Sequence, residues 1–311
     1  MKKTAYLFPG QGSQTVGMGR DFYEHSSLAR EIFSRADEAL GFRLSRLCFE
    51  GPEEELKLTE NTQPALLTVS YIAYLLVGRE PALAAGHSLG EYSALVAAGS
   101  LTFEEAVVLV HKRGKYMQQA VPVGQGAMAA LLGVDYQSVK QVLSEIGKNG
   151  VVEIANWNSR DQIVIAGHCQ TVKEALEKIK APRSVILSVS APFHCSLMKE
   201  AEERLAADLD QTQFRDLKFP IVTNVEAKLI YKGAEAKESL KKQVTHPVLW
   251  YTSMELMRKE GVEAFFELGS GKVLTRLIKR ISRTWPTAPL ALNVETVGDL
   301  SKIKSIDSVL V

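Results

Sequence analysis

The stretch Ala82-Leu83-Ala84-Ala85-Gly86-His87-Ser88-Leu89-Gly90-Glu91-Tyr92-Ser93-Ala94-Leu95-Val96-Ala97-Ala98 decides how the rest of the chain is read. A short apolar run, expected as a strand over 82–86, enters Gly-x-Ser-x-Gly and leaves as a helix expected over 91–98. In that context the pattern is a nucleophile elbow: the flanking glycines permit a turn sharp enough to push the Ser88 hydroxyl out over a sheet. The backbone N–H of Leu89, at the start of the helix, would then face charge developing on an acyl oxygen. An ordinary strand-to-helix turn is the plainer alternative, so the surrounding sequence has to decide.

Outward from the elbow, short β-type runs over 5–8, 184–189, 220–225, 264–268 and 289–294 alternate with amphipathic helices. That order predicts an α/β fold with a parallel sheet covered by helices. Helix starts are expected at Thr62 ahead of Pro64, and at Thr102-x-x-Glu105, a capping box opening a helix to about Gln119. One segment has its own rhythm: strand 127–132, helix 135–146, strands 151–155 and 162–166, helix 171–179, strand 184–189. Its helices carry apolar stripes at Val139, Val142, Leu143, Ile146 and at Val172, Ala175, Leu176, Ile179, the second after a Thr171-x-x-Glu174 capping box. The order βαββαβ is ferredoxin-like. It predicts a small subdomain, 125–190, inserted in a large domain of 1–124 and 191–311, with 121–126 as the hinge.

At 311 residues the chain can hold two cores, and 46% apolar with 23% charged residues excludes disorder. A net charge of +1 gives no global signal for nucleic acid or membrane. Neither a signal peptide nor a membrane-spanning run is legible, so a cytoplasmic protein is expected. Cys48, Cys169 and Cys195 are widely separated and imply neither a disulfide framework nor a metal site.

Phe8-Pro9-Gly10-Gln11-Gly12-Ser13-Gln14 follows the first strand and invites a phosphate-binding reading, which fails on spacing. A dinucleotide fingerprint starting at Gly10 needs a glycine where Thr15 stands, and a P-loop starting at Gly12 needs a lysine where Met18 stands. Gly269-Ser270-Gly271-Lys272 fails as a P-loop too, with Phe266 and Val273 at its required glycine and hydroxyl positions.

A nucleophilic serine needs a base. His194, in Ala191-Pro192-Phe193-His194-Cys195, follows an expected strand and precedes a helix, at the end of the sheet where open α/β folds place their sites. His246 is the rival, whereas His25, His111 and His168 read as surface or structural residues and His87 points away from the nucleophile. Arg113, on the helix after the elbow helix, offers a guanidinium fork suited to a carboxylate, although a solvated charge is the plainer reading.

Taken together, Gly10-Gln11-Gly12-Ser13-Gln14, Gly86-His87-Ser88-Leu89-Gly90-Glu91-Tyr92, Arg113-Gly114, Ala191-Pro192-Phe193-His194-Cys195 and Gln243-Val244-Thr245-His246-Pro247-Val248 resemble the malonyl-CoA:acyl carrier protein transacylases in order and spacing, over about residues 4–293. The tail after Val294 lies outside the resemblance. The resemblance implies an α/β-hydrolase-like large domain with a ferredoxin-like small one. It implies a ping-pong transfer in which Ser88 attacks the malonyl-CoA thioester and the phosphopantetheine thiol of acyl carrier protein then takes the malonyl group. His194 would be general base and acid, and the N–H groups of Gln11 and Leu89 the oxyanion hole. Arg113 would bind the malonyl carboxylate, a main-chain carbonyl near Gln243 would orient His194, and Phe193 would crowd an α-methyl branch. No cofactor or metal is implied. The expected partner is an acidic carrier protein, with Lys112, Lys115, Lys279, Arg280 and Arg283 as basic contacts, and the enzyme is expected to be a monomer supplying fatty acid synthesis.

Three alternatives stay open at this level. They are a discrete trans-acting acyltransferase of a polyketide synthase, a serine thioesterase or hydrolase using His246 with Asp208 or Asp216, and a carrier-binding module with a vestigial serine.

Overall fold

A computed structural model describes residues 2–122, 124–189 and 191–309, with side chains through Ile303. Val123 of the expected hinge, Ser190 and residues 310–311 lie outside the described residues. The larger sheet is built from β1 (Thr4–Phe8), β2 (Leu83–Gly86), β7 (Ile221–Val222), β8 (Leu229–Ile230), β9 (Ala264–Leu268) and β10 (Leu290–Val294), in the order β10-β9-β1-β2-β7-β8. All its pairings are parallel except β7 with β8. β1 reads as a continuous apolar run because both its faces are covered: Tyr6 and Phe8 enter one core, Ala5 and Leu7 the other.

The second sheet is antiparallel and consists of β3 (Gly126–Leu132), β4 (Val152–Ser159), β5 (Gln162–His168) and β6 (Arg183–Ile186), in the order β4-β5-β3-β6. With helices Tyr136–Ile146 and Cys169–Ile179 it makes the ferredoxin-like βαββαβ unit. Ala129, Leu131, Ile163 and Ile165 pack with the two helix stripes, while Met128, Ala130, Val164 and Ala166 on the other face join the large core. The smaller sheet is also fastened to the large domain along its edge strand β4 and at the β4–β5 turn. Val248 exchanges backbone hydrogen bonds with Ala155 and Trp157 of β4, and Arg280 grips Asp161 at 2.8 and 2.6 Å.

Several local expectations need correction. The strand expected over 220–225 shrinks to two residues, because Asn224 is drawn out of the ladder to bond Ser88 and Glu91, and an antiparallel β8 closes that edge. Pro64 lies inside the helix Thr59–Val77 and Thr62 is no cap: its hydroxyl donates to the Leu56 carbonyl. The Glu60 carbonyl that Pro64 cannot serve accepts instead from His111 Nδ1 at 2.9 Å, so a second helix repairs the break. The Thr171 capping box does not form, since that hydroxyl is spent on the carbonyls of Val151 and His168. The Thr102 box does form, with both reciprocal bonds. No helix among the described residues is long and apolar enough to cross a membrane.

Candidate active site

The elbow runs from β2 into the helix Leu89–Ala97, and its geometry accounts for its composition. Ser88 has φ 51° and ψ −106°, a conformation disfavoured for any residue with a Cβ and held only because the surroundings over-determine it. A Cβ on Gly86 would lie 1.8 Å from the Gly90 carbonyl carbon, and one on Gly90 would lie 2.0 Å from the Phe8 oxygen. The turn therefore closes on β1 with no space for side chains. A Cβ on Gly10 would come within 2.3 Å of the His87 oxygen, so the loop after β1 is pressed against the elbow.

Ser88 Oγ lies 2.8 Å from His194 Nε2, across 106 residues of sequence. His194 also sits at positive φ (62°), its N–H bonded to the Val244 carbonyl and its Nδ1 at 2.9 Å from the Gln243 main-chain oxygen. That carbonyl fixes Nδ1 as the protonated nitrogen and leaves Nε2 free to accept from serine. Burial, then the Arg113 charge, push the imidazole down to about 3, so it is neutral at physiological pH and keeps the Nε2 lone pair available.

Arg113 comes from the helix Phe103–Gln119 and is 1% exposed. Its Nη2 donates to Ser88 Oγ at 3.1 Å and to Gln243 Oε1 at 2.9 Å, and its Nη1 donates to Gln63 Oε1 at 2.7 Å. The guanidinium stacks over Tyr92 at 5.4 Å. Burial lowers its pKa, but guanidinium starts so high that the group stays charged. A buried cation held by neutral amide oxygens, with Nε unpartnered, is the partner an incoming carboxylate would fit.

These groups face a cavity of about 390 Å3, which Gln11, Gly12, Leu89, Phe193 and Met117 also line. Leu89 opens its helix, so its N–H belongs to the turn that lacks intrahelical partners. Ser88, His194, Arg113, Gln11, Leu89 and Phe193 thus share one cavity, with Gln243 directly behind it. His246 is not: it is exposed and bonded to the Lys242 carbonyl. Asp208 is held by Lys112 and Tyr116, and Asp216 by Lys232 and the Gly233 N–H, so neither reaches His194. Of the basic contacts, Lys112 and Arg280 are engaged with Asp208 and Asp161, whereas Lys115, Lys279 and Arg283 are exposed.

Residues 5–301 match the family described as acyl transferase domain. The chain belongs to that family. The match runs past Val294 to include the start of the helix Val297–Val309, whose first N–H bonds Asp21 at 2.6 Å. This acyl transferase is 48% identical over 295 residues to the malonyl CoA-acyl carrier protein transacylase of Bacillus subtilis, covering 92% of this chain and 93% of that one. Among solved structures it is similar to an acyl carrier protein S-malonyltransferase from Vibrio cholerae, with TM-score 0.94, 40% identity and coverage of 97% and 99%. It is equally similar to a malonyl-transacylase solved in complex with a type II polyketide synthase acyl carrier protein, with TM-score 0.93, 40% identity and coverage of 98% and 99%.

The sequence reading missed a second layer of this acyl transferase. Glu91 Oε2 accepts from Gln243 Nε2 at 2.7 Å and from Asn224 N at 3.1 Å. Asn224 Oδ1 accepts from Ser88 N at 2.7 Å while its Nδ2 donates to the Gly86 carbonyl at 2.7 Å, clamping the elbow on both sides. Gln63 and the His87–Asn158 pair at 2.9 Å complete the layer. The available signal was polarity out of place: Glu91 lies in the apolar elbow helix and Gln63 heads an apolar run.

Proposed function

We propose that this chain transfers the malonyl group of malonyl-CoA to the phosphopantetheine thiol of acyl carrier protein through a malonyl-Ser88 intermediate, supplying fatty acid synthesis. The observation that carries the reading is one oxygen with two partners: Ser88 Oγ lies between His194 Nε2 and Arg113 Nη2. A nucleophile thus shares a small cavity with a base and with a buried cation for the far end of a dicarboxylic acyl group.

In the first half-reaction His194 Nε2 takes the hydroxyl proton as Oγ attacks the thioester carbon. The oxyanion is held by the N–H groups of Leu89 and Gln11. Its collapse expels the CoA thiolate, which takes the proton back from His194. In the second, His194 deprotonates the carrier thiol, which attacks the ester, and the proton returns to Ser88. The Gln243 carbonyl keeps the imidazole oriented through both. Arg113, still held by Gln63 and Gln243, exchanges its contact with Ser88 for the malonyl carboxylate, and a plain acyl chain would leave this buried cation without a charged partner. Anchoring the acyl group at both ends in a small cavity favours a thiol over water. Phe193 limits space beside the α-carbon.

The chemistry draws only on side chains and backbone of this chain, so we assign no metal or prosthetic group. We place the enzyme in the cytoplasm, as a monomer that meets an acidic carrier protein through exposed cations such as Lys115, Lys279 and Arg283. A second reading, supply of a polyketide synthase, is favoured by the relative solved with such a carrier protein. Rates with the two kinds of carrier decide between them. A hydrolase reading lacks support, since the partner of His194 Nδ1 is a carbonyl. Incubation with malonyl-CoA and holo-acyl carrier protein is the test: malonyl-carrier protein is expected, and release of malonate without transfer would overturn the proposal.

A further inference from the structure

Among the described residues Glu91 is the carboxylate that reaches this machinery, yet it touches none of the reacting atoms. It is fully buried in the elbow helix. Its Oε2 accepts from Gln243 Nε2 and Asn224 N, and its Oε1 has no hydrogen-bond partner. Gln243 is the hub. Its amide oxygen takes Arg113 Nη2, its amide nitrogen also donates to the Ser88 carbonyl at 3.1 Å, and its main-chain oxygen holds His194. An amide can sit in two orientations that differ by exchange of oxygen and nitrogen. Here a donor-only guanidinium stands at one end and an acceptor at the other. The flipped amide would set N–H groups against Arg113 and oxygen against Glu91.

We propose that Glu91 is a positioning residue of the acyl transfer, its carboxylate fixing the Gln243 amide so that Arg113 and His194 are both held toward Ser88. The inference rests on the transfer reading above and deepens it. The charge matters, because an ionised acceptor grips an amide N–H more firmly than a neutral one. Burial pushes the Glu91 carboxyl up to about 7, with Glu226 adding to the rise, while the Gln243 and Asn224 hydrogen bonds and the Arg113 cation oppose it. Tyr92 also faces Arg113 but stays protonated, pushed up to about 12 by burial. Protonation on the unpartnered Oε1 would leave Oε2 a weaker acceptor, so the grip is loosened and not lost.

The test is single-turnover loading of Ser88 from malonyl-CoA, followed by mass spectrometry between about pH 5.5 and pH 8.5, either side of the Glu91 carboxyl. The intact enzyme is expected to show two plateaus separated by about tenfold, with the step near pH 7 and the faster plateau on the alkaline side. His194 gives no step there, being neutral throughout the range. Glu91→Gln should remain near the slow plateau at every pH, with its melting transition showing a folded protein. Gln243→Met, which keeps the main-chain carbonyl but has no amide to orient, should also lack the step. A Glu91→Gln enzyme that loads at the full alkaline rate, or a full step persisting in either variant, overturns the proposal. If the intact enzyme loads with no step, Glu91 loses this role alone; if it never loads, the transfer reading itself falls.

Discussion

The turns that leave β2 and β9, the strands on either side of β1, are built from the same parts. Each follows a parallel strand, carries glycines around a serine and opens a helix, Leu89–Ala97 in one case and Val273–Ile281 in the other. In the β9 turn the glycines take the left-handed backbone (Gly269 φ 127°, Gly271 φ 82°), and Ser270 Oγ donates to the Ser13 carbonyl at 2.8 Å. Its carboxylate, Glu267, caps the N–H groups of Leu274 and Thr275. In the β2 turn the serine itself takes the strained conformation, its hydroxyl faces a histidine, and its carboxylate serves Gln243 and Asn224. The loop after β1 lies against both, Gly10 on the elbow and Ser13 on the β9 turn. Glycine takes the positive φ freely and the turn is a fastening; where serine takes it, the hydroxyl is set against a base.

That contrast can be broken from either side. The largest effect is expected from Ser88→Ala, which should lower malonyl loading by at least about 10⁴-fold with little change in melting temperature, as read in single-turnover assays. Gly90→Ala should be costly to the fold as well as to activity. With a Cβ 2.0 Å from the Phe8 oxygen, β1 and the elbow must separate, and denaturant titration should report a loss of about 3 kcal/mol. Arg113→Ala should reduce kcat/KM for malonyl-CoA by about 100-fold while raising the relative use of acetyl-CoA, and Arg113→Lys should fail to restore the preference. An unchanged acyl preference would remove Arg113 from the carboxylate role. The smallest effect belongs to the other turn: Ser270→Ala should lose about 1 kcal/mol of stability and leave the loading rate intact.

Legibility in the sequence followed the range of the interactions. The elbow, the Thr102 capping box and the βαββαβ order are written in residues a few positions apart, so the α/β class with its ferredoxin-like insertion could be read directly. Ser88, His194 and Arg113 could each be named as candidates from local sequence, but their shared role rested on joining distant motifs, and their distances came from the structure. Glu91 meets Asn224 across 133 residues and Gln243 across 152, and nothing local marks Asn224, inside an expected strand, as a clamp on the elbow. The same holds for the local errors. Pro64 is tolerated because His111 on another helix takes the carbonyl it frees, and the Thr171 box is lost because Val151, 20 residues earlier, competes for the hydroxyl.

Trapping the acyl-enzyme tests the central claim most directly. Intact-mass and peptide mapping after brief exposure to malonyl-CoA should find one malonyl group per chain, on Ser88, stable until holo-acyl carrier protein is added and then recovered on the carrier thiol. An adduct on another residue, or malonate released with no adduct and no carrier product, would contradict the account.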